Sequence, residues 1–286
     1  MHYGLNFANG GPFGDAQTLG ELARLAEDSG WDGVFLEDYL IWQGHQDVPT
    51  CDPWIALAAM ALNTNHIRLG TMVTALARRR PWKVARETVT LDHLSNGRLI
   101  LGVGLGDTSV FIKDPSFLAF EEARSTQQRA KMLDEALDIL VGLWSGQPFG
   151  YAGEYYHVDQ VTFLPRPIQT PRIPIWIGGG WPLKGPTRRA ARWDGSCLYR
   201  HPGSGSHQFT VSNVRILKAD IERERTSSSK FDIALGGGQR GADLEKERAS
   251  IKSFAEAGAT WWVEYVPPMH PEAARQAVRR GPLRID

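Results

Sequence analysis

The chain is poor in cysteine, carries no net charge and lacks any long apolar run. Of its 286 residues only Cys51 and Cys197 are cysteines. Two cysteines so far apart make no disulfide framework, which points to a reducing cytoplasm. Lysine plus arginine number 32, and aspartate plus glutamate also number 32, so the formal net charge is zero. That balance lacks the electrostatic footprint of a general nucleic-acid binder. No stretch reaches the roughly 18 apolar residues of a bilayer span, so no membrane partner is expected. Met1-His2-Tyr3-Gly4-Leu5-Asn6-Phe7 has no basic start leading into an apolar stretch. A secretory leader is therefore not expected. H-E-x-x-H, a P-loop and G-x-S-x-G are missing too, which removes three common hydrolytic and phosphate-handling sites. His45, His157, His201 and His207 stand in expected loops without metal-ligand spacing, so no metal site is expected.

What is present is an eight-fold alternation. Short apolar, β-branched runs at 2–7, 33–37, 67–73, 98–103, 173–178, 195–200, 231–236 and 260–266 read as strands. They are apolar on consecutive positions, as parallel strands buried on both faces are. Helical patterns separate them at 16–29, 53–64, 81–97, 124–144, 185–193, 208–225, 243–257 and 271–279. Asp52-Pro53 supplies an N-cap followed by proline at the first helical position. Eight such units in under 290 residues favour an α/β fold of the closed (β/α)8 TIM-barrel type, a single domain over 1–286, rather than an open doubly wound sheet. Two stretches break the pattern and read as rim insertions. Residues 105–123 are loop-like and too short for an elaborate lid. Residues 146–172 read as a hairpin followed by a proline-rich extended run.

The active site of such a barrel is built where its strands end. The residues there are Asn6 and Phe7; Glu37, Asp38 and Tyr39; Met72, Val73 and Thr74; Gly104, Gly106 and Asp107; Gly178, Gly179, Gly180 and Trp181; Arg200 and His201; and Gly237 to Arg240. A glycine after a strand either turns the chain or lets a ligand approach the backbone. Gly178-Gly179-Gly180, followed by a helix carrying Arg188 and Arg189, fits a phosphate seat. Gly236-Gly237-Gly238-Gln239-Arg240-Gly241 matches a dinucleotide fingerprint, with Glu256 beyond it. It falls in the seventh unit instead of the first, where a barrel phosphate site is equally at home. Arg78-Arg79-Arg80 either attracts an anionic ligand or forms a solvated basic loop.

A long ordered series of motifs then points to one family. It runs from Ile67-Arg68-Leu69-Gly70-Thr71-Met72-Val73-Thr74 through Thr90-Leu91-Asp92-His93-Leu94-Ser95-Asn96-Gly97-Arg98-Leu99 to Leu101-Gly102-Val103-Gly104-Leu105-Gly106. Leu143-Trp144-Ser145-Gly146, Pro165-Arg166-Pro167-Ile168-Gln169 and Pro174-Ile175-Trp176-Ile177-Gly178-Gly179 follow in order. Over roughly residues 3–200 the chain resembles the luciferase-like monooxygenase superfamily. The resemblance implies an oxidoreductase or monooxygenase using reduced FMN or the deazaflavin coenzyme F-420 on a small organic substrate. It implies a cofactor reduced elsewhere by a separate reductase, and a homodimer. It places a cis peptide bond under the cofactor ring at Met72-Val73, a phosphate turn at Gly178–Gly180, and an acidic proton donor at Asp107. With the rim residues, the expected cofactor contacts are Asn6, Met72, Val73, Thr74, Gly104, Gly106, Gly178, Gly179, Gly180 and Arg188; the expected catalytic residues are Asp38, Tyr39 and Asp107. Several deazaflavin members read Asp-His after the second strand, where this chain reads Asp38-Tyr39. A tyrosine of ordinary pKa, about 10, donates a hydrogen bond near neutrality instead of acting as a base. Asp38 then orients Tyr39 or contacts the ring; alternatively Tyr39 packs on Trp42. On the residues alone, two rival readings stay open: a flavin-retaining barrel without turnover, and a barrel enzyme acting on a phosphorylated sugar.

Overall fold

A computed structural model of the chain describes residues 1–106, 119–204 and 208–285. The strands are β1 (His2–Phe7), β2 (Gly33–Leu36), β3 (Arg68–Thr71), β4 (Thr74–Ala75), β5 (Leu99–Gly104), β6 (Phe149–Ala152), β7 (His157–Val161), β8 (Ile175–Trp181), β9 (Gly195–Arg200), β10 (Asp232–Gly238) and β11 (Trp261–Val266). The α-helices are α1 (Ala16–Asp28), α2 (Pro53–Asn63), α3 (Pro81–Leu94), α4 (Thr126–Trp144), α5 (Lys184–Ala191), α6 (Val211–Glu224), α7 (Leu244–Ala257) and α8 (Pro271–Arg279). Parallel pairing runs β3-β2-β1-β11-β10-β9-β8-β5-β4, and a β3–β5 pairing closes the ring. β3 and β4 are two halves of one barrel strand, so the sheet is the eight-stranded closed barrel that the alternation predicts.

Helix starts are set by local chemistry. The Asp15 carboxylate accepts from Thr18 N in α1, Asp52 accepts from Trp54 N and Ile55 N in α2, and Thr210 with Asn213 forms a capping box on α6. Each satisfies backbone donors that a helix N-terminus leaves open. The expected hairpin is β6–β7, paired antiparallel; Glu135 of α4 holds its turn by accepting from the backbone N–H groups of Glu154, Tyr155 and Tyr156. The Asp92 and Arg98 of the central motif are structural. Asp92 accepts from Ile168 N at 2.8 Å and Gln169 Nε2 at 2.7 Å, pinning the proline-rich run. Arg98 donates to Thr64 Oγ1 and to the carbonyls of Ala61, Thr64 and Ile67 at the end of α2.

Strand ends depart from expectation in an informative way. Gly104 lies within β5, Gly178 to Gly180 within β8, and Gly236 to Gly238 within β10. These glycines are ladder residues and not post-strand turns: Gly178, Gly179 and Gly180 pair with Cys197, Leu198 and Tyr199. The third strand, expected unbroken over 67–73, is interrupted at Met72-Val73.

Alternation sorts the side chains into two cores. Tyr3, Leu5, Phe7, Val34, Leu36 and Leu69 belong to the large core that lies under the helices. Phe35, Ile100, Trp176, Ala234, Trp261 and Val263 fill the barrel itself, with Met72 and Cys197 packed on them. The rings of Phe35, Trp176 and Trp261 lie 5.3–5.7 Å apart. This aromatic plug is the floor of everything above it.

Candidate active site

Two residues beyond the plug on each strand lie the next inward positions: Asn6, Glu37, Gly102, Gly178, Gly236 and Tyr265. Three of these are glycine, which leaves the mouth wide. A cavity of about 670 Å³ opens on the β8–β10 side of this ring, bordered by Gly178 and Gly236 and walled by Met72, Val73, Cys197, Arg200, Gln239 and Trp262 among others. It runs outward through the barrel wall. β9 and β10 pair only at Gly195 with Asp232 and Ser196 with Ile233, whereas β8 and β9 stay paired from Trp176–Gly195 to Trp181–Arg200. Above Ser196 the two strands diverge, and the cavity passes between them towards Ser250 and Phe254 of α7.

The Met72–Val73 peptide bond is cis. Thr71 Oγ1 donates to Gly102 O at 2.7 Å, and Met72 N donates to Leu36 O at 2.7 Å, so the step is tied on both sides. The Val73 methyls fit a slot cut by glycine. A Cβ on Gly104 would lie 2.9 Å from Val73 Cγ2, and one on Gly178 would lie 2.9 Å from Val73 Cγ1. Neither distance leaves room for a side chain. Packing against Val73 therefore requires glycine at both positions, and Gly178 also borders the cavity. Gly179 differs: its φ is +155°, and a Cβ there would meet Pro186 of α5 at 2.8 Å. The N-terminus of α5 carries no side-chain cap. Gly106 has φ +69°; its carbonyl and that of Leu105 accept from Arg129 Nη1.

The carboxylate of Asp38 is buried, with 2% of its side chain exposed, and it accepts from Arg79 Nη2 at 2.8 Å. Asp52 lies 3.8 Å from the same guanidinium. Arg79 thus holds one Asp38 oxygen, and Oδ2 is buried without a hydrogen-bond partner among the described residues. That ion pair also answers for the middle of the arginine run. The Tyr39 backbone is clamped by Asn9, whose Nδ2 donates to Tyr39 O and whose Oδ1 accepts from Tyr39 N. Trp42 stacks on His45, with ring centroids 5.7 Å apart. Arg188 departs from its expected place at a phosphate. It sits in the last turn of α5, 65% exposed, 3.8 Å from Glu224 of α6, because the end of a helix points away from what its start faces. Its neighbour Arg189 is tied to Asp134 of α4. Asp107 lies outside the described residues.

Glu37 is the rim residue that the sequence reading noted but gave no task. It follows β2 on the inward side. Trp42 Nε1 donates to its Oε2 at 3.1 Å, and burial pushes its carboxyl up to about 7 against that hydrogen bond. Tyr265, on the adjoining wall, has its phenol pushed up by burial and by the nearby Glu37. Counting two residues from Phe35 would have found it. Burial pushes the Cys197 thiol up to about 12, so it stays protonated and is no nucleophile at neutral pH. Among the described residues no group of three or more His, Cys, Asp or Glu side chains could hold a metal ion.

The fingerprint at Gly236–Gly241 serves the barrel. Arg240 Nε donates to Glu264 Oε1 at 3.0 Å and its Nη2 to Gly281 O at 2.7 Å, drawing the loop after β10 down onto β11. The glycines ahead of it border the cavity.

Orphaned polar atoms favour a flat heterocyclic occupant. Asn6 Oδ1 and Thr74 Oγ1 are buried without a hydrogen-bond partner among the described residues. Such an atom costs roughly 1–3 kcal/mol unless a ligand or water meets it. A ring with polar edges and an apolar face fits: Met72 and Val73 give the bed, and Asn6 gives an acceptor.

Fold and mouth together define a closed β/α barrel of the kind that carries its enzyme site at the C-terminal end of its strands. The chain belongs to the luciferase-like monooxygenase family, whose model matches residues 4–238, and it is an oxidoreductase of that family, flavin- or F420-dependent. An F420-dependent glucose-6-phosphate dehydrogenase of Nakamurella multipartita is 35% identical over 243 residues, 83% of this chain and 67% of that one. Another of that name from Microbacterium testaceum is 37% identical over 186 residues, 63% of this chain and 51% of its own. The chain thus spans between half and two thirds of the length of these relatives. Among solved structures, monooxygenase RslO1 from Streptomyces bottropensis superposes with TM-score 0.76 at 20% identity, over 98% of this chain and 97% of that one. An F420-dependent secondary alcohol dehydrogenase superposes with TM-score 0.75 at 17% identity, over 97% and 96%.

Proposed function

We propose that the chain is an F420-dependent oxidoreductase that moves hydride between the deazaflavin and a small hydroxylated substrate. The similarity to F420-dependent glucose-6-phosphate dehydrogenases over 83% of the chain carries this reading and favours F420 over FMN. The cofactor supplies the hydride chemistry when bound. Holding it falls to Asn6, Met72, Val73 and Thr74 at the ring, with Gly179 and the uncapped start of α5 for its phosphate. Arg200 stands on the cavity wall with its Nε buried and unpartnered. Among the described residues its Nη2 donates to Ser204 O alone, and its guanidinium lies over Trp181 at 4.9 Å. It is placed to meet an anionic group, and the split between β9 and β10 gives that group room.

In this reading a separate reductase or dehydrogenase regenerates the cofactor. The chain works as a homodimer in the cytoplasm. Ile55 and Leu62, seven residues apart on α2, are 66% and 71% exposed, and Leu94 of α3 adds to the same apolar face. A second copy covers it in this reading.

Fluorescence titration with F420 and, separately, with FMN tests the proposal. Saturable F420 binding together with F420 reduction by a sugar phosphate is expected. FMN binding alone moves the chain to the oxygen-using side of the family, and no saturable binding of either removes the proposal.

A further inference from the structure

Glu37 combines three properties found together nowhere else at the mouth. It faces inward, it is largely shielded from solvent, and no lysine or arginine nitrogen lies within 4.0 Å of it among the described residues. Its neighbour Asp38 has such a partner in Arg79; Glu37 has one neutral donor, the Trp42 indole, on Oε2. Oε1 accepts no hydrogen bond from any described residue. The surrounding groups are equally telling. Tyr265 on β11, one strand beyond β1, is the titratable side chain beside it. Asn6 on β1, paired with Tyr265 and Phe35, adds a neutral amide with an orphaned oxygen. Met72 follows the β3 residue paired with Leu36 and adds no charge. His45 lies behind the indole, stacked on it. A carboxyl so placed is costly to ionise, and this one is not neutralised by a cation.

We propose that Glu37 is the proton acceptor of the mouth: its Oε1 takes the proton from a hydroxyl of the bound substrate and returns it to water afterwards. The inference rests on the reading of the chain as a hydroxyl-oxidising enzyme. The step is a bare proton transfer. The substrate O–H bond breaks, an O–H bond forms on Oε1, and the electron pair stays on the substrate oxygen, where it favours departure of hydride from the adjoining carbon. A carboxyl with its midpoint near 7 is matched to this task at neutral pH, holding both forms in comparable amounts. Trp42 tunes it: the indole N–H stabilises the ionised form and so keeps the carboxyl from rising further.

The test uses the full chain labelled with 13C at the glutamate carboxyls. One resonance, absent from Glu37→Gln, is expected to titrate near pH 7 in the wild type, and Trp42→Phe should move that midpoint upward. Turnover of F420 with glucose 6-phosphate is followed against pH in parallel. Glu37→Gln should lower kcat about 10²-fold or more, the scale of a positioned acid or base, with KM changed less than about threefold, and should erase the limb near pH 7. A midpoint in the ordinary carboxylate range, or a limb that survives in Glu37→Gln while cofactor still binds, overturns the role and leaves the cofactor reading intact. Absence of F420 binding in the wild type overturns the reading and takes the role with it.

Discussion

Replacing Gly178 by alanine should separate packing from ligand binding at the glycine-rich strand. The new Cβ would lie 2.9 Å from Val73 Cγ1 and 3.1 Å from Cγ2. Ordinary carbon contacts lie near 3.5–4.0 Å, so Val73 must retreat by roughly 0.5–1 Å. It cannot slide freely: Thr71 is bonded to Gly102 O on one side of the step and Met72 N to Leu36 O on the other, and Gly104 receives Val73 Cγ2. Overpacking of this kind costs about 1–3 kcal/mol. Val73→Ala alone, which removes two methyl-sized groups from a partly buried site, should cost about 1 kcal/mol. The double variant Val73→Ala with Gly178→Ala should then be more stable than the two costs added, with a coupling of about 1–2 kcal/mol in its favour. Chemical denaturation of the four proteins measures this directly. Strict additivity, or Gly178→Ala with unchanged stability, would refute the slot and return Gly178 to the role of a ligand-facing glycine.

Four further outcomes are expected. Asp38→Asn leaves the Arg79 guanidinium poorly compensated, with Asp52 at 3.8 Å and the more distant charge of Glu87; a loss of up to about 3 kcal/mol is expected in denaturant, and unchanged stability would show that the pair is idle. Arg200→Gln should weaken binding of inorganic phosphate or a sugar phosphate about 10–100-fold, the scale of a hydrogen bond to a charged group, without lowering the melting temperature; equal affinities would place the anion elsewhere. Burial raises the Glu37 carboxyl from its ordinary value of 4.5 to about 7. The unfolded chain therefore loses this proton first, so stability should fall as pH rises from about 4.5 towards about 7 and then level off; a wild-type profile that superposes on that of Glu37→Gln over this window contradicts the burial argument. Leu62→Glu on the exposed face of α2 should convert a dimer to a monomer in sedimentation velocity, and a persisting dimer would put the interface on another face.

The barrel was legible because its signal is repetitive. Buried parallel strands leave consecutive apolar runs, and proline or an acidic cap marks where α2 or α1 starts. Strand ends were less legible for a specific reason. Gly104, Gly178 and Gly180 look like turns in sequence because glycine favours turns, yet a glycine backbone still offers its N–H and C=O to a ladder. What removed the side chains of Gly104 and Gly178 was a partner distant in sequence. Val73 lies over thirty residues from Gly104 and over a hundred from Gly178, and no local pattern encodes that meeting.

The mouth shows the same limit with a sharper consequence. Asp38 reads as the natural acid because it stands beside Tyr39, but Arg79, some forty residues on, claims it. Glu37 reads as an ordinary charged residue at a strand end. Its character comes from what fails to approach it: no basic side chain within 4.0 Å among the described residues, and an indole in place of one. Adjacent carboxyls in one sequence thus become a partner of Arg79 and a buried titratable group pushed up to about 7. A sequence lists both residues with the same charge, and only the strand alternation that turns one into the barrel and the other towards Arg79 distinguishes them. Chemistry at the mouth therefore follows from the parity of β2, and inserting one residue between Leu36 and Glu37 should carry Glu37 into the position that now faces Arg79 and leave the inward position without its carboxyl.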